Sequence, residues 1–253
     1  MNHTNENKKK LPESIHYLTL RQLLGWLGIL LPIILAAWSL FGACGEVQES
    51  ISAYYYTPLR NVFIGILCSI ALFLVSYTGY PKEPNERVSE NVLTNIAGFL
   101  ALGVAFFPTK FSETWIDTCH TCSYKSVFPE AFRYIHYCSA VLFFALLAFI
   151  SHEKFTIYKG PLTEKRIKLH GVYRACGKAI VISIIIIIIY FLLEQFKIAD
   201  AQKYPILNQC PPIFIFETIA LWAFGSSWLI KGKAHIWLTY GWRIAKHKVS
   251  KAP

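Results

Sequence analysis

Eight side chains have the types and spacing to do chemistry near one membrane surface. Ser52, Tyr54, Tyr55, Tyr56 and Arg60 fall within the stretch ESISAYYYTPLR, which leads directly into an apolar run. Arg133 and His136 stand three apart at the start of a later run, on one face if that run is helical. Glu217 lies just past the first turn of the last run, where a carboxylate cannot easily reach water. An arginine fork matches a phosphate. A tyrosine pairs an apolar ring with a hydroxyl and suits the headgroup level of a bilayer. Together these residues describe a polar mouth able to hold an anionic or zwitterionic lipid headgroup. The alternative reading is a structural network: an aromatic belt at Tyr54–Tyr56, a snorkelling Arg60, a satisfied His136, and a Glu217 neutralised by Arg60 or Arg133.

Two other chemistries compete. His136 as a base with Ser52 or a tyrosine as nucleophile would make a membrane-embedded enzyme acting on lipid. No G-x-S-x-G elbow or H-E-x-x-H helix accompanies them. Glu217 and His136 as a proton relay would make a proton-coupled small-solute transporter.

These residues need elements to hold them. The chain has 253 residues, 54% of them apolar and 16% charged, where a soluble domain carries about a quarter charged. Six apolar runs, near 23–43, 60–78, 92–108, 131–151, 173–193 and 212–230, each approach the ~20 residues that cross hydrocarbon as a helix. The fifth contains the isoleucine run Ile184–Ile189; β-branching does not prevent a helix where lipid forces backbone groups to pair internally. Pro81, Pro108, Pro129, Pro161, Pro205, Pro211 and Pro212 punctuate the connections. The expected fold is all-α: a polytopic six-helix transmembrane bundle over 23–232. Residues 1–22 are expected to form a cytoplasmic segment ending in a short surface helix over 13–22. Residues 233–253 are read as a cytoplasmic tail with an interfacial helix at 234–245.

The net charge of +10 is explained by its distribution. Nineteen of the twenty-five Lys and Arg residues fall on alternate segments: both termini, the 79–91 and 152–172 connections, and Arg174 and Lys178 at the start of the run that follows. That is the positive-inside pattern of an even helix count with both termini cytoplasmic. The expected partners are membrane lipids, with anionic headgroups at the cytoplasmic face, and not nucleic acid. Either a bacterial inner membrane or a eukaryotic endomembrane or plasma membrane fits, and a homo-oligomer is compatible. On this inner side Glu90, Asn91 and Asn95 cluster at one helix start. His170, Arg174 and Lys178 repeat every four residues as a basic stripe. Gly98, Ala101, Gly103, Ala105, Gly225 and Ser226 are read as sites of close helix packing.

Cys44, Cys119, Cys122 and Cys210 all fall on the outer side, where two disulfides can form in any of three pairings. The CHTC at 119–122 lacks a second cysteine pair, so a structural disulfide outweighs zinc or redox chemistry. No metal or cofactor is implied.

Three segments, ESISAYYYTPLRNVF, FRYIHYCSAVLFF and FETIALWAFGSSWLI, resemble the Frag1/DRAM/Sfk1 group of six-helix membrane proteins. That resemblance covers about 20–232 and places Ser52, Pro58, His136 and Glu217 at the group's motif positions. It implies a six-helix fold and a role in membrane trafficking or lipid organisation.

Overall fold

A computed structural model describes residues 13–42, 47–79, 82, 86–110, 129–157, 163–196 and 211–234. Among these residues there are six α-helices and no strand. They are α1 (Glu13–Phe41), α2 (Arg60–Ser76), α3 (Glu90–Phe106), α4 (Arg133–Phe149), α5 (Glu164–Gln195) and α6 (Pro212–Lys231). Two short 3-10 turns, Ser52–Tyr56 and Glu130–Phe132, precede α2 and α4, and a π turn, Ile150–Lys154, extends α4.

The helix limits follow local chemistry. Ser89 caps α3 by accepting from the Val92 N–H, and Pro212 stands in the first turn of α6, where its missing N–H costs nothing. Two helices start earlier than their apolar runs. α1 begins at Glu13, so the surface helix expected over 13–22 is continuous with the apolar helix after it. Nothing between them breaks a helix, and Arg21 and Gln22 both find partners inside the bundle. α5 begins at Glu164, and its first turns carry Arg166, Lys168 and Arg174 from the expected basic connection.

Each helix packs on its neighbour in sequence, and α6 closes against α1, so the six form a ring. Four segments are long and apolar enough to cross a membrane: Tyr17–Phe41, Glu130–Lys154, Arg166–Gln195 and Pro212–Lys231. α2 and α3, with 17 residues each, sit at the lower limit of a spanning length. The outside of the ring is as apolar as the inside. Leu72, Phe99, Leu142, Ile182, Ile185 and Ile189 are exposed, while Leu31, Phe63, Ile70, Phe143, Ile180 and Phe224 form the core. A helix apolar on every side is suited to lipid.

Between such helices the water-driven hydrophobic effect does not select the contact, and close backbone approach does. Glycine provides it at successive interfaces. A Cβ on Gly225 would stand 2.6 Å from the Gly25 carbonyl oxygen, between α6 and α1. One on Gly98 would meet Ala71 O of α2 at 2.9 Å, and one on Gly177 of α5 would meet Ala148 O of α4 at 2.9 Å. Gly103 faces Ser139 across the α3–α4 contact.

Gly225→Ala is expected to force α1 and α6 apart and destabilise the bundle by about 1–3 kcal/mol in a denaturing-detergent titration. Gly65→Ala, where a Cβ meets nothing within 4 Å, is the matched control and should be neutral or stabilising by up to about 1 kcal/mol.

Candidate functional site

The two ends of the ring carry different polar chemistry. At one end, which we call the tyrosine end, the segment Ile51–Tyr56 is buried as a turn inside the bundle. Tyr54 is fully enclosed. Its hydroxyl lies 2.5 Å from Ser39 Oγ of α1 and accepts from the Gln48 N–H at 3.4 Å. The Tyr56 hydroxyl donates to Thr109 O at 2.7 Å, just past α3. Burial raises the phenol pKa of Tyr54, and it pushes that of Tyr56 up to about 12, with Tyr55 and Tyr137 adding to the rise. Both therefore remain neutral hydroxyls.

Glu217 of α6 anchors this turn from the side. Its Oε2 accepts from the Ile51 N–H at 2.6 Å, and Ser52 donates through both its backbone N–H and its hydroxyl. The carboxylate thus satisfies donors at the start of the turn, which no helix of its own could satisfy. A backbone bond from Phe214 N to Glu49 O, 3.1 Å, reinforces the same junction.

The remaining expected site residues lie at this end but engage other partners. Arg60 donates to the Tyr55 hydroxyl at 2.7 Å and sits 4.4 Å over the Tyr55 ring. Arg133 pairs with Glu130 at 3.2 Å and covers the Tyr134 ring at 5.2 Å, at the surface. Buried His136 holds Phe107 O through Nδ1 at 2.8 Å. Ser52 and Glu217 therefore share one network, while Tyr54 with Ser39, Arg60 with Tyr55, Tyr56 with Thr109, and His136 with Phe107 form four separate contacts. The Ser52 hydroxyl is committed to Glu217 and the His136 ring to a carbonyl, so the nucleophile–base pair is not assembled. Cys44, Cys119, Cys122 and Cys210 lie outside the described residues, as does the expected interfacial helix at 234–245 apart from Ala234. The described cysteines, Cys68, Cys138 and Cys176, are free thiols.

At the opposite, basic end, a second cluster draws on all six helices or the residues flanking them. The Tyr77 hydroxyl, just past α2, accepts from Arg21 Nη2 of α1 at 2.7 Å and Nε at 3.2 Å. It donates to Glu90 Oε1 of α3 at 2.8 Å. Burial and the Glu90 charge push the Tyr77 phenol pKa up, with Arg21 opposing, so the hydroxyl stays a donor. Lys231 of α6 donates to Phe155 O, after α4, at 3.3 Å and lies 4.9 Å from the Phe155 ring and 5.9 Å from Tyr173 of α5. Trp228 meets Tyr77 and Phe155 edge-on, at 5.0 and 5.1 Å between ring centroids. Arg21, Glu90 and Lys231 are each at most 7% exposed, an unusual degree of burial for charged side chains.

Lys154, brought round by the π turn, bonds to Val88 O at 2.5 Å and pairs with Glu86 at 3.4 Å. Gly79 adopts φ +67°, and a Cβ there would stand 2.8 Å from the Glu90 Cβ, so only glycine lets the chain pass this carboxylate.

Sequence reasoning counted Arg21 and Lys231 as anchors in polar connections and missed this cluster. A signal was present: Tyr17 and Arg21 are four apart, and Trp228 and Lys231 three apart, so each cation shares a helix face with an aromatic ring. Arg21 does lie 5.0 Å over Tyr17. Of the basic stripe, Arg174 and Lys178 are exposed and His170 is half-buried.

No protein-family model, curated protein or solved structure matches this chain.

Glu217→Ala is expected to lower stability by about 2–3 kcal/mol, because it strands buried backbone donors. Glu217→Gln, which keeps an acceptor oxygen, should lose less. Thermal unfolding of the two variants in one detergent measures the difference, and no loss in Glu217→Ala would show that the carboxylate does not hold the turn.

Proposed function

We propose that this chain is an integral membrane protein of six crossing helices, with both termini cytoplasmic, that binds and organises lipid headgroups without covalent chemistry. The observation that carries the proposal is the sorting of charge between the two ends. Lys168, Arg174 and Lys178 on the first turns of α5 are exposed together with Lys82 and Arg87, and with the exposed Glu153 and Glu164 they form a net-cationic rim at the basic end. Below that rim, α5 presents the exposed isoleucines Ile182, Ile185, Ile188 and Ile189. A cation collar above an apolar wall matches an anionic leaflet, where each Lys or Arg near the surface contributes roughly 1 kcal/mol.

At the tyrosine end, Ser52 and Glu217 are bonded to one another and the Tyr54 hydroxyl to Ser39. Headgroup contact on that side falls instead to Arg60 and Arg133, each backed by a tyrosine ring. A guanidinium held flat on an aromatic face keeps a defined direction toward a phosphate. The Frag1/DRAM/Sfk1 resemblance points the same way, toward lipid organisation.

Two measurements test this. Impermeant thiol labelling of single cysteines in a cysteine-free background should reach Lys110→Cys from outside the cell and Lys168→Cys only after permeabilisation; the reverse pattern overturns the orientation. Purified protein with Lys168→Ser, Arg174→Ser and Lys178→Ser together should retain far less anionic lipid by mass spectrometry. Three charges at roughly 1 kcal/mol each correspond to a loss on the order of 100-fold in affinity, shrinking as salt is raised. Unchanged retention would end the rim proposal.

A further inference from the structure

Two cations of the rim are placed more narrowly than a diffuse collar requires. Arg174 and Lys178 stand one helical turn apart, and both lie inside Arg166–Gln195, a segment apolar enough to span. Both are exposed, and neither makes a hydrogen bond or an ion pair among the described residues. The exposed carboxylates of the rim do not neutralise them. Glu153 bonds to His152, and Glu164 lies about 15 Å from Arg174 along the α5 axis. A charge on a lipid-facing helix is costly unless its head reaches a polar partner.

The second observation is the surface that continues from this pair. Arg174, Lys178, Val181, Ile185 and Ile188 follow at spacings of four, three, four and three residues, so they form one stripe along α5. Every member is exposed. From Lys178 to Ile188 the stripe runs about 15 Å, half the thickness of the hydrocarbon core. α4 borders it. Gly177, next to Lys178, brings α5 so close to α4 that a Cβ there would stand 2.9 Å from Ala148 O. Val141, seven residues before Ala148 and on the same side of α4, is exposed as well. The α4–α5 seam therefore has apolar flanks and two cations at its head.

We propose that the α4–α5 seam is a discrete site for one phospholipid with a terminal phosphomonoester, its phosphate between Arg174 and Lys178 and an acyl chain along Val181, Ile185 and Ile188. The site rests on the lipid binding proposed above for the basic end and gives it a place and a headgroup class. The class follows from the donors. A guanidinium fork takes two phosphate oxygens and an ammonium takes a third, and the pair carries two positive charges. A phosphomonoester presents three terminal oxygens and a charge of about −1.5 to −2 at neutral pH. A phosphodiester headgroup presents two such oxygens and one charge. Gly171, three residues before Arg174 and on the same face, has open space where a Cβ would stand, which leaves room for the phosphate on the rim side.

The test uses full-length protein in neutral detergent, titrated with phosphatidic acid, phosphatidylglycerol or phosphatidylcholine of matched acyl chains and read by native mass spectrometry. Wild type should take up one phosphatidic acid first, with an affinity roughly 5- to 10-fold above that for phosphatidylglycerol. Arg174→Ser and Lys178→Ser should each bring the two anionic lipids to within about twofold of one another. Lys168→Ser removes a rim charge that lies off the stripe, so it should weaken both lipids alike and keep the preference. Val181→Trp leaves the charges unchanged and obstructs the seam, and should lower the first binding event for both anionic lipids.

Loss of preference in the two pair variants and its retention in Lys168→Ser supports the site. Equal affinity of wild type for the two anionic lipids overturns the site and leaves the rim standing. So does a preference that survives Arg174→Ser and Lys178→Ser, or one that Lys168→Ser removes equally. No binding of either anionic lipid by wild type removes the rim reading as well. A protein dimer in place of the bound lipid, dissociated by Val181→Trp, would assign the seam to a second copy of this chain and overturn the proposal.

Discussion

A single hydroxyl, that of Tyr77, connects the charges at the basic end. It accepts from Arg21 and donates to Glu90, so α1, the end of α2 and the start of α3 share one hydrogen-bonded atom. Remove it and a guanidinium and a carboxylate lose their common partner in surroundings with little water to replace it. Much of the local geometry follows from protecting this contact. Gly79 takes a left-handed turn that spares Glu90, the Trp228 ring stands edge-on to Tyr77, and Tyr17 lies 5.2 Å from it on the other side. The Tyr17 hydroxyl then bonds to Thr78 Oγ1 and Gly79 O, so the chain leaving α2 is held from α1 as well.

Closure of the ring depends on a different constraint. α1 and α6 are the first and last helices, so their contact spans most of the sequence. It rests on Gly25, Gly28 and Gly225, where a side chain would collide with backbone oxygen or with Phe224. Gln22 adds a bond to Gly232 O at 2.8 Å, and Trp222 Nε1 one to Ile29 O at 3.2 Å. Ser151 and Ser227, 2.9 Å apart, bridge α6 to the π turn after α4. Small residues set the distance between helices, and a few polar side chains fix their depth relative to one another.

Hydropathy made the helices legible because lipid-facing and core-facing positions are both apolar, which leaves long unbroken runs such as 212–230. The same property hid the interior. With no polar face to contrast against, nothing in α5 distinguishes buried Ile180 from exposed Ile182 or Ile185. The starts of α1 and α5 were missed for a related reason. Arg21 and Lys168 read as surface charges, yet the helix continues through them, and in the case of Arg21 the side chain turns inward. Glu217 was legible as a buried carboxylate, but its partner was not. Arginine was the obvious candidate, and the structure supplies backbone N–H groups of a turn 166 residues away in sequence. Sequence spacing along a helix indicates which residues share a face; it carries no information about which distant loop will reach that face.

The contrast between the two ends bears on function. Among the described residues, the tyrosine end is held largely by neutral hydroxyls and backbone groups, with the half-buried Glu217 bonded to the turn, and its arginines lie against Tyr55 and Tyr134. At the basic end the chain buries Arg21 and Lys231, although enclosing ions is often less stable than well-packed apolar side chains of the same volume. Arg21 and Lys231 enter from the two helices that close the ring, and Glu90 from a third. Their bonds to the Tyr77 hydroxyl and to Phe155 O tie those helices to the ends of α2 and α4 where they meet.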